Sequence, residues 1–326
     1  MRDTLLSWQK ILAQGFNTAS DLLSFLELPQ TCDESLAEKQ FPSRVPLGFA
    51  RRMQKKNPCD PLLLQVLATK AEMDDTTGYV DDPLKEVPTA LSGLLHKYYG
   101  RVLLTLTGTC AVNCRFCFRR HFPYQENNPG RKGWQDICDY IAKDQTIKEV
   151  ILSGGDPLLA ADIVLRELIE QLQQIPHVEI LRVHTRVPIV LPERIDADFL
   201  SLLAATKLKK VIVLHCNHEQ ELDETVLTAC EDLKAVGCYL LNQTVLLADI
   251  NDDANALMAL SYKLFNYGIL PYYLHLLDKV KGAAHFDLPV ERAKAIYKEL
   301  QELVPGYLLP KLVREESGKH SKTLII

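Results

Sequence analysis

From about residue 100 onward the chain alternates between short apolar runs and amphipathic stretches, and that alternation leaves few architectures open. The runs span 102–107, 149–153, 178–185, 210–215, 238–247 and 270–277, with a last extended piece over 307–314. Between most of them lie segments with helical apolar spacing, such as ADIVLRELIEQLQQ, EQELDETVLTACEDLKAVG and ANALMALSYKLFNYG. A strand covered on both faces reads as a near-continuous Val, Ile and Leu run, and parallel partners need a crossover, usually a helix. The expected fold class is therefore α/β, a partial or full parallel (β/α) barrel.

Residues 1–95 have a different texture. Apolar spacing in LLSWQKIL and LLLQVLATK is helical, and Pro42, Pro46, Pro58 and Pro61 interrupt it. The expectation is a helical layer over 1–95 that ends in the acidic, turn-rich linker MDDTTGYVDDPLKEVP, then a barrel core over 96–310 and a C-terminal segment over 311–326. A formal net charge of −5 leaves no basic footprint for nucleic acid. No apolar run approaches the ~18–20 residues that cross a bilayer, and the opening MRDTLLSWQK lacks the apolar core of a secretion signal. A cytoplasmic chain is expected. Its nine cysteines, an odd number spread over a long chain, do not resemble a disulfide framework. Cys32, Cys59, Cys138, Cys216, Cys230 and Cys238 are scattered, and for most of them a buried packing role is expected.

Chemistry-bearing residues recur at the C-terminal ends of the apolar runs. A cysteine loop follows the first, Ser153, Gly154, Gly155 and Asp156 follow the second, and Arg186 follows the third. His215 closes the fourth, Gln243 lies in the fifth, and Asp278 ends the sixth. In a βα barrel those ends converge on one face, where active sites sit. The loop TGTCAVNCRFCFRRHF carries Cys110, Cys114 and Cys117. Three thiolates can hold three irons of a 4Fe–4S cube and leave the fourth open. Such an open corner suits chelation of S-adenosylmethionine (SAM) by its amino and carboxylate groups, and electron transfer then releases a 5′-deoxyadenosyl radical. The same cysteines with His121 could instead hold a structural zinc ion in a non-catalytic binding protein. A redox thiol pair has less support, because no cysteine pair sits in a thioredoxin-like setting.

The cysteine loop resembles the signature of the radical SAM superfamily, which makes the expected barrel one of the radical SAM type. The longer strings HKYYGRVLLTLTGTCAVNCRFCFRRHFPY, ILSGGDPL and YYLHLLDKVKGAAHF resemble the lysine 2,3-aminomutase family, and within it the branch serving (R)-β-lysylation of bacterial elongation factor P. The resemblance covers nearly the whole chain. It implies that SAM rests against Ser153, Gly154, Gly155 and Asp156, with His215 and Gln243 also lining its pocket. By themselves GGDP would be an ordinary turn. It also implies pyridoxal 5′-phosphate (PLP) bound covalently to Lys322, with Arg101 near the phosphate, as guanidinium chemistry suits. Without the family match, Lys322 would read as part of a solvated basic tail.

For the substrate, the resemblance assigns Arg119 to an amino-acid carboxylate, and Asp278 and Glu315 to the distal ammonium of lysine. One cation and two acids suit a substrate with an acid at one end and a cation at the other. Glu315 stands where many lysine mutases carry Asp. The chain ends soon after Lys322, whereas catabolic relatives continue into a cysteine-bearing tail, which favours the elongation factor P branch. The implied activity is an isomerase reaction, L-α-lysine to (R)-β-lysine. Flavodoxin or ferredoxin would be the electron donor, and a separate lysyl ligase would act on elongation factor P. A free-standing catabolic aminomutase is the alternative within enzymes.

Overall fold

The computed structural model describes residues 6–30, 34–87, 91–127 and 129–325. Nine strands form one sheet in the order β1 (Leu94–Tyr98), β2 (Arg101–Thr107), β3 (Glu149–Gly154), β4 (Ile180–Thr185), β5 (Lys209–His215), β6 (Cys238–Val245), β7 (Leu270–His275), β8 (Lys311–Arg314) and β9 (Thr323–Leu324). Neighbours from β2 to β8 are parallel, while β1 and β9 are antiparallel to their partners and form the edges. The barrel is thus partial rather than full. Its two edges nevertheless approach one another, because Lys97 on β1 reaches Glu315 just beyond β8 at 3.2 Å.

Helices cross between the parallel strands, among them Gly130–Lys143, Asp162–Gln173, Ala197–Ala205, Glu224–Ala235, Ala254–Asn266 and Val290–Leu303. Three of them start where an aspartate accepts backbone N–H groups that lack a helical partner. Asp196 caps the third, Asp223 the fourth and Asp253 the fifth. The helices cover the outer face of the sheet, where Leu181, Val183, Ile212, Leu214 and Leu240 join the main core. Strand residues of the opposite parity point inward. On β4 these are Arg182 and His184, which line a cavity on the inner face together with apolar residues such as Leu103 and Ile151.

The six apolar runs and the final extended piece all contain a strand of the sheet. The last strand begins only at Lys311, because Gly306–Leu308 is a turn of 3-10 helix and Pro310 has no N–H for the ladder. Strands β1 and β9 lie outside the apolar runs, since five half-polar residues and two residues carry too little alternation to read. Residues before β1 form short helices, as the prolines dictate. Pro61 opens one of them behind an Asp60 cap. Cys138, Cys216, Cys230 and Cys238 are buried as expected, Cys59 is exposed, and Cys32 lies outside the described residues. No helix among the described residues is long and apolar enough to cross a membrane.

Candidate active site

The cysteine loop leaves β2 and is gripped from two sides. The N-terminal layer binds its backbone through Asn113 N–H to Arg44 O (3.0 Å) and Arg115 N–H to Gln65 O (2.9 Å). Arg115 lies between Cys114 and Cys117 and is fully buried. Its guanidinium donates to Glu72 at 2.8 and 2.6 Å and to Phe41 O at 2.6 Å. Arg120 joins the same Glu72 carboxylate at 2.7 Å. From the barrel side, Gly155 N–H donates to Thr107 O at 2.6 Å and Asp156 N–H to Thr109 O at 2.8 Å. A Cβ on Gly155 would fall 2.4 Å from Thr109 O, so only glycine permits this approach. The GGD turn therefore clamps the cysteine loop as well as edging the cavity.

Cys110, Cys114 and Cys117 all line one cavity of about 330 Å³. Every other site residue expected from the sequence lines it too: Arg101, Arg119, Ser153, Gly154, Gly155, Asp156, His215, Gln243, Asp278, Glu315 and Lys322. His121 is absent from that lining. Its Nε2 faces Lys281 O at 3.2 Å, turned to a smaller cleft, so it does not complete a four-ligand zinc site with the cysteines.

The thiols differ in their surroundings. Burial pushes the Cys117 thiol up to about 11, with Cys114 adding to the effect, and burial followed by Cys117 raises Cys110 well above the usual thiol value. Cys114 Sγ instead accepts a hydrogen bond from Arg186 Nη1 at 2.7 Å. Arg186 continues to Gln65 (2.6 Å) and Glu221 (2.9 Å), which ties the thiol to a buried polar network. Asp156 directs its carboxylate to Thr185 Oγ1 and the Arg186 N–H, both at 2.7 Å, while burial raises its pKa to about 6.

The same cavity is lined by a chain of alternating charges. Arg119 donates to both oxygens of Glu86, at 2.6 and 3.0 Å, and to Ser153 Oγ at 3.0 Å. Lys97 bridges Glu86 (2.8 Å) to Glu315 (3.2 Å), and Lys322 binds the second Glu315 oxygen at 2.5 Å. Although largely shielded from water, the Glu315 carboxylate is held well below its ordinary range by Lys322 and Lys97. Asp278 makes no ion pair within 4 Å among the described residues; burial first, and then the Glu315 charge, raise it to about 7. Arg101 Nε is buried without a partner in the same cavity.

Sequence reasoning missed several lining groups. Glu86 sits in the acidic stretch that reads as a linker, and nothing in its sequence marks it. Lys97, Tyr98 and His275 lie inside the strings that carry the family resemblance, where nothing local sets them apart from their neighbours. Arg182 and His184 had a usable signal, since they alternate with the buried Leu181 and Val183 along β4. The Nε2 atoms of His184, His215 and His275 are buried without a partner, and burial, reinforced by nearby cations, lowers all three imidazoles from their usual value.

The radical SAM superfamily profile matches residues 104–260, which begin in β2 and include the cysteine loop. The chain is 50% identical over 321 residues to L-lysine 2,3-aminomutase of Haemophilus influenzae, covering 98% of this chain and 95% of that protein. It is 48% identical to L-lysine 2,3-aminomutase of Escherichia coli, covering 97% and 93% of the two chains. It is 44% identical to that of Buchnera aphidicola, covering 98% and 95%.

The chain belongs to the lysine 2,3-aminomutase family. As a radical SAM protein of that family it is expected to use a 4Fe–4S cluster and SAM, and its donor set fits both. Among the described residues no three His, Cys, Asp or Glu side chains converge on a single-ion site. A four-iron cube does not require that, since it offers each thiolate an iron of its own. The three thiols share the cavity with the polar strand ends, leaving space beside the loop for a small molecule.

Proposed function

We propose that the protein is a PLP-dependent radical SAM isomerase that converts L-α-lysine to (R)-β-lysine in the cytoplasm. The observation that carries this reading is the charge layout of the cavity. A buried guanidinium, Arg119, lies at one position, and two carboxylates, Asp278 and Glu315, lie at another. A zwitterionic head with a distal ammonium matches that layout, whereas glutamate would require a cation in place of the acids. The relatives of highest identity above are named for lysine as well.

In this reading Cys110, Cys114 and Cys117 hold the cluster, and SAM lies against Ser153, Gly154, Gly155 and Asp156, with His215 and Gln243 beside it. When bound, cluster and SAM together supply a carbon radical that takes a hydrogen atom from the substrate. PLP supplies an electron sink for the migrating nitrogen. Lys322 anchors PLP and Arg101, with its unpartnered Nε, receives the phosphate. Arg119 holds the carboxylate, and Asp278 and Glu315 hold the distal ammonium, which fixes the β-carbon relative to the radical source. The N-terminal layer within residues 1–95 supports the cysteine loop of the barrel over 96–310, and residues 311–326 carry Lys322. Flavodoxin or ferredoxin delivers the electron.

The product is destined for a lysine of elongation factor P, attached by a separate ligase; family resemblance supports this step. The test is anaerobic reconstitution with iron, sulfide, PLP, SAM and a reductant. (R)-β-lysine and 5′-deoxyadenosine should both form from L-lysine, and failure to form β-lysine would refute the activity. Deleting the gene should remove the β-lysyl mass from elongation factor P. An unchanged mass would refute that destination alone.

A further inference from the structure

Glu86 belongs to no barrel strand, yet it is among the most buried acids of the cavity, with 3% of its side chain exposed. The segment carrying it is pinned in place. Asp82 accepts the Glu86 and Val87 N–H groups at 3.0 and 3.1 Å, Val80 pairs with Val280, and Tyr79 donates to Asp287 at 2.6 Å. Glu86 grips Arg119 by Nε and Nη2. A guanidinium carries five N–H donors in a rigid fork. Glu86 takes two and Ser153 takes one, so two remain, the number a bidentate carboxylate requires. Phe118 and Phe122 lie 4.9 and 5.9 Å from the guanidinium carbon and limit its rotation further. Lys97 on the same Glu86 carboxylate restores a net positive charge to the group.

We propose that Glu86 is a positioning residue, which orients Arg119 so that its two remaining N–H donors meet the carboxylate of the amino-acid substrate. The inference rests on Arg119 as the carboxylate ligand, and the test separates the two. A competitor for Arg119 would weaken substrate binding, whereas a positioning group strengthens it, so the sign of the KM change decides.

The reconstituted holoenzyme is assayed with lysine, with cadaverine as a competitive inhibitor that keeps both amines of lysine but lacks its carboxylate. In Glu86→Gln, KM for lysine should rise about tenfold or more, with a much smaller change in kcat, as loss of a charge-assisted contact predicts. The cadaverine inhibition constant should stay within about twofold, since it does not use Arg119. Glu86→Asp keeps the charge and should show an intermediate KM; it serves as the test if the Gln variant does not fold. An unchanged or lower KM, or an equal loss of lysine and cadaverine binding, overturns the proposal. Arg119→Lys provides the separation. If it preserves discrimination between lysine and cadaverine, the carboxylate role of Arg119 fails and Glu86 with it. If it abolishes discrimination while Glu86→Gln does not, only the role of Glu86 fails.

Discussion

Lys322 and Glu315 meet across the β8–β9 turn, with Nζ 2.5 Å from Oε2, while the other Glu315 oxygen receives Lys97 at 3.2 Å. Glu315 thus already binds two lysine ammonium groups of its own chain. In the proposed enzyme one of them, Lys322, would anchor PLP, and the ammonium of the substrate would take its place on Glu315. The two oxygens of this one carboxylate thus hold one lysine each.

Removing that charge should have two opposite effects. Glu315→Gln frees Lys322 from its partner, so covalent uptake of PLP should be faster by visible absorbance after mixing. Lysine binding should weaken by about tenfold or more, the worth of one charged hydrogen bond. Lys322→Ala should lose covalent PLP altogether after borohydride treatment and desalting.

Asp278 makes the free site dependent on pH. Its carboxyl is raised to about 7 by burial and by Glu315, with Glu86 adding and Lys322 and Lys97 opposing. Below that value the acid is neutral and offers no charge to an ammonium. Therefore kcat/KM for lysine should climb as pH rises through about 7, and the climb should vanish in Asp278→Asn. Stability should run the other way. A carboxyl raised above its unfolded value of 3.8 binds more protons when folded, so its contribution falls between there and about 7. Asp278→Asn should then raise Tm by on the order of a few °C at pH 8 and change it little at pH 4.

Glu72 neutralises two buried arginines that flank the cysteines. In Glu72→Gln, Arg115 and Arg120 lose that charge, a change that costs about 3–5 kcal/mol when a buried pair is broken. The urea midpoint should drop, and iron retained per chain should fall in the fraction that still folds. Glu72→Asp should recover part of both.

Gly155→Ala places a methyl group 2.4 Å from Thr109 O. Backbone must move, at a cost of about 1–3 kcal/mol, and what moves is the start of the cysteine loop. Reconstituted iron should fall more than thermal stability does. Equal iron content in Gly155→Ala and the parent would mean that the clamp is dispensable.

Much of the barrel was legible because most of its parallel strands are apolar runs separated by amphipathic helices, three of them capped by Asp, a pattern set locally. The cysteine loop stood out because three cysteines in eight residues have few uses. Lys322, Arg119 and Glu315 were found only through resemblance, since each alone reads as a solvated charge. Glu86 was not found at all.

By itself, the sequence determined the alternation of strands and helices, the cysteine spacing and the residue types at the strand ends. Those follow from neighbours a few positions apart. The open sheet, the approach of its edges and the charge chain from Arg119 through Glu86, Lys97 and Glu315 to Lys322 were decided by tertiary structure. They join residues up to 218 positions apart. An ion pair over that separation leaves no local period, and it exists only once folding has excluded water and brought the two edges together.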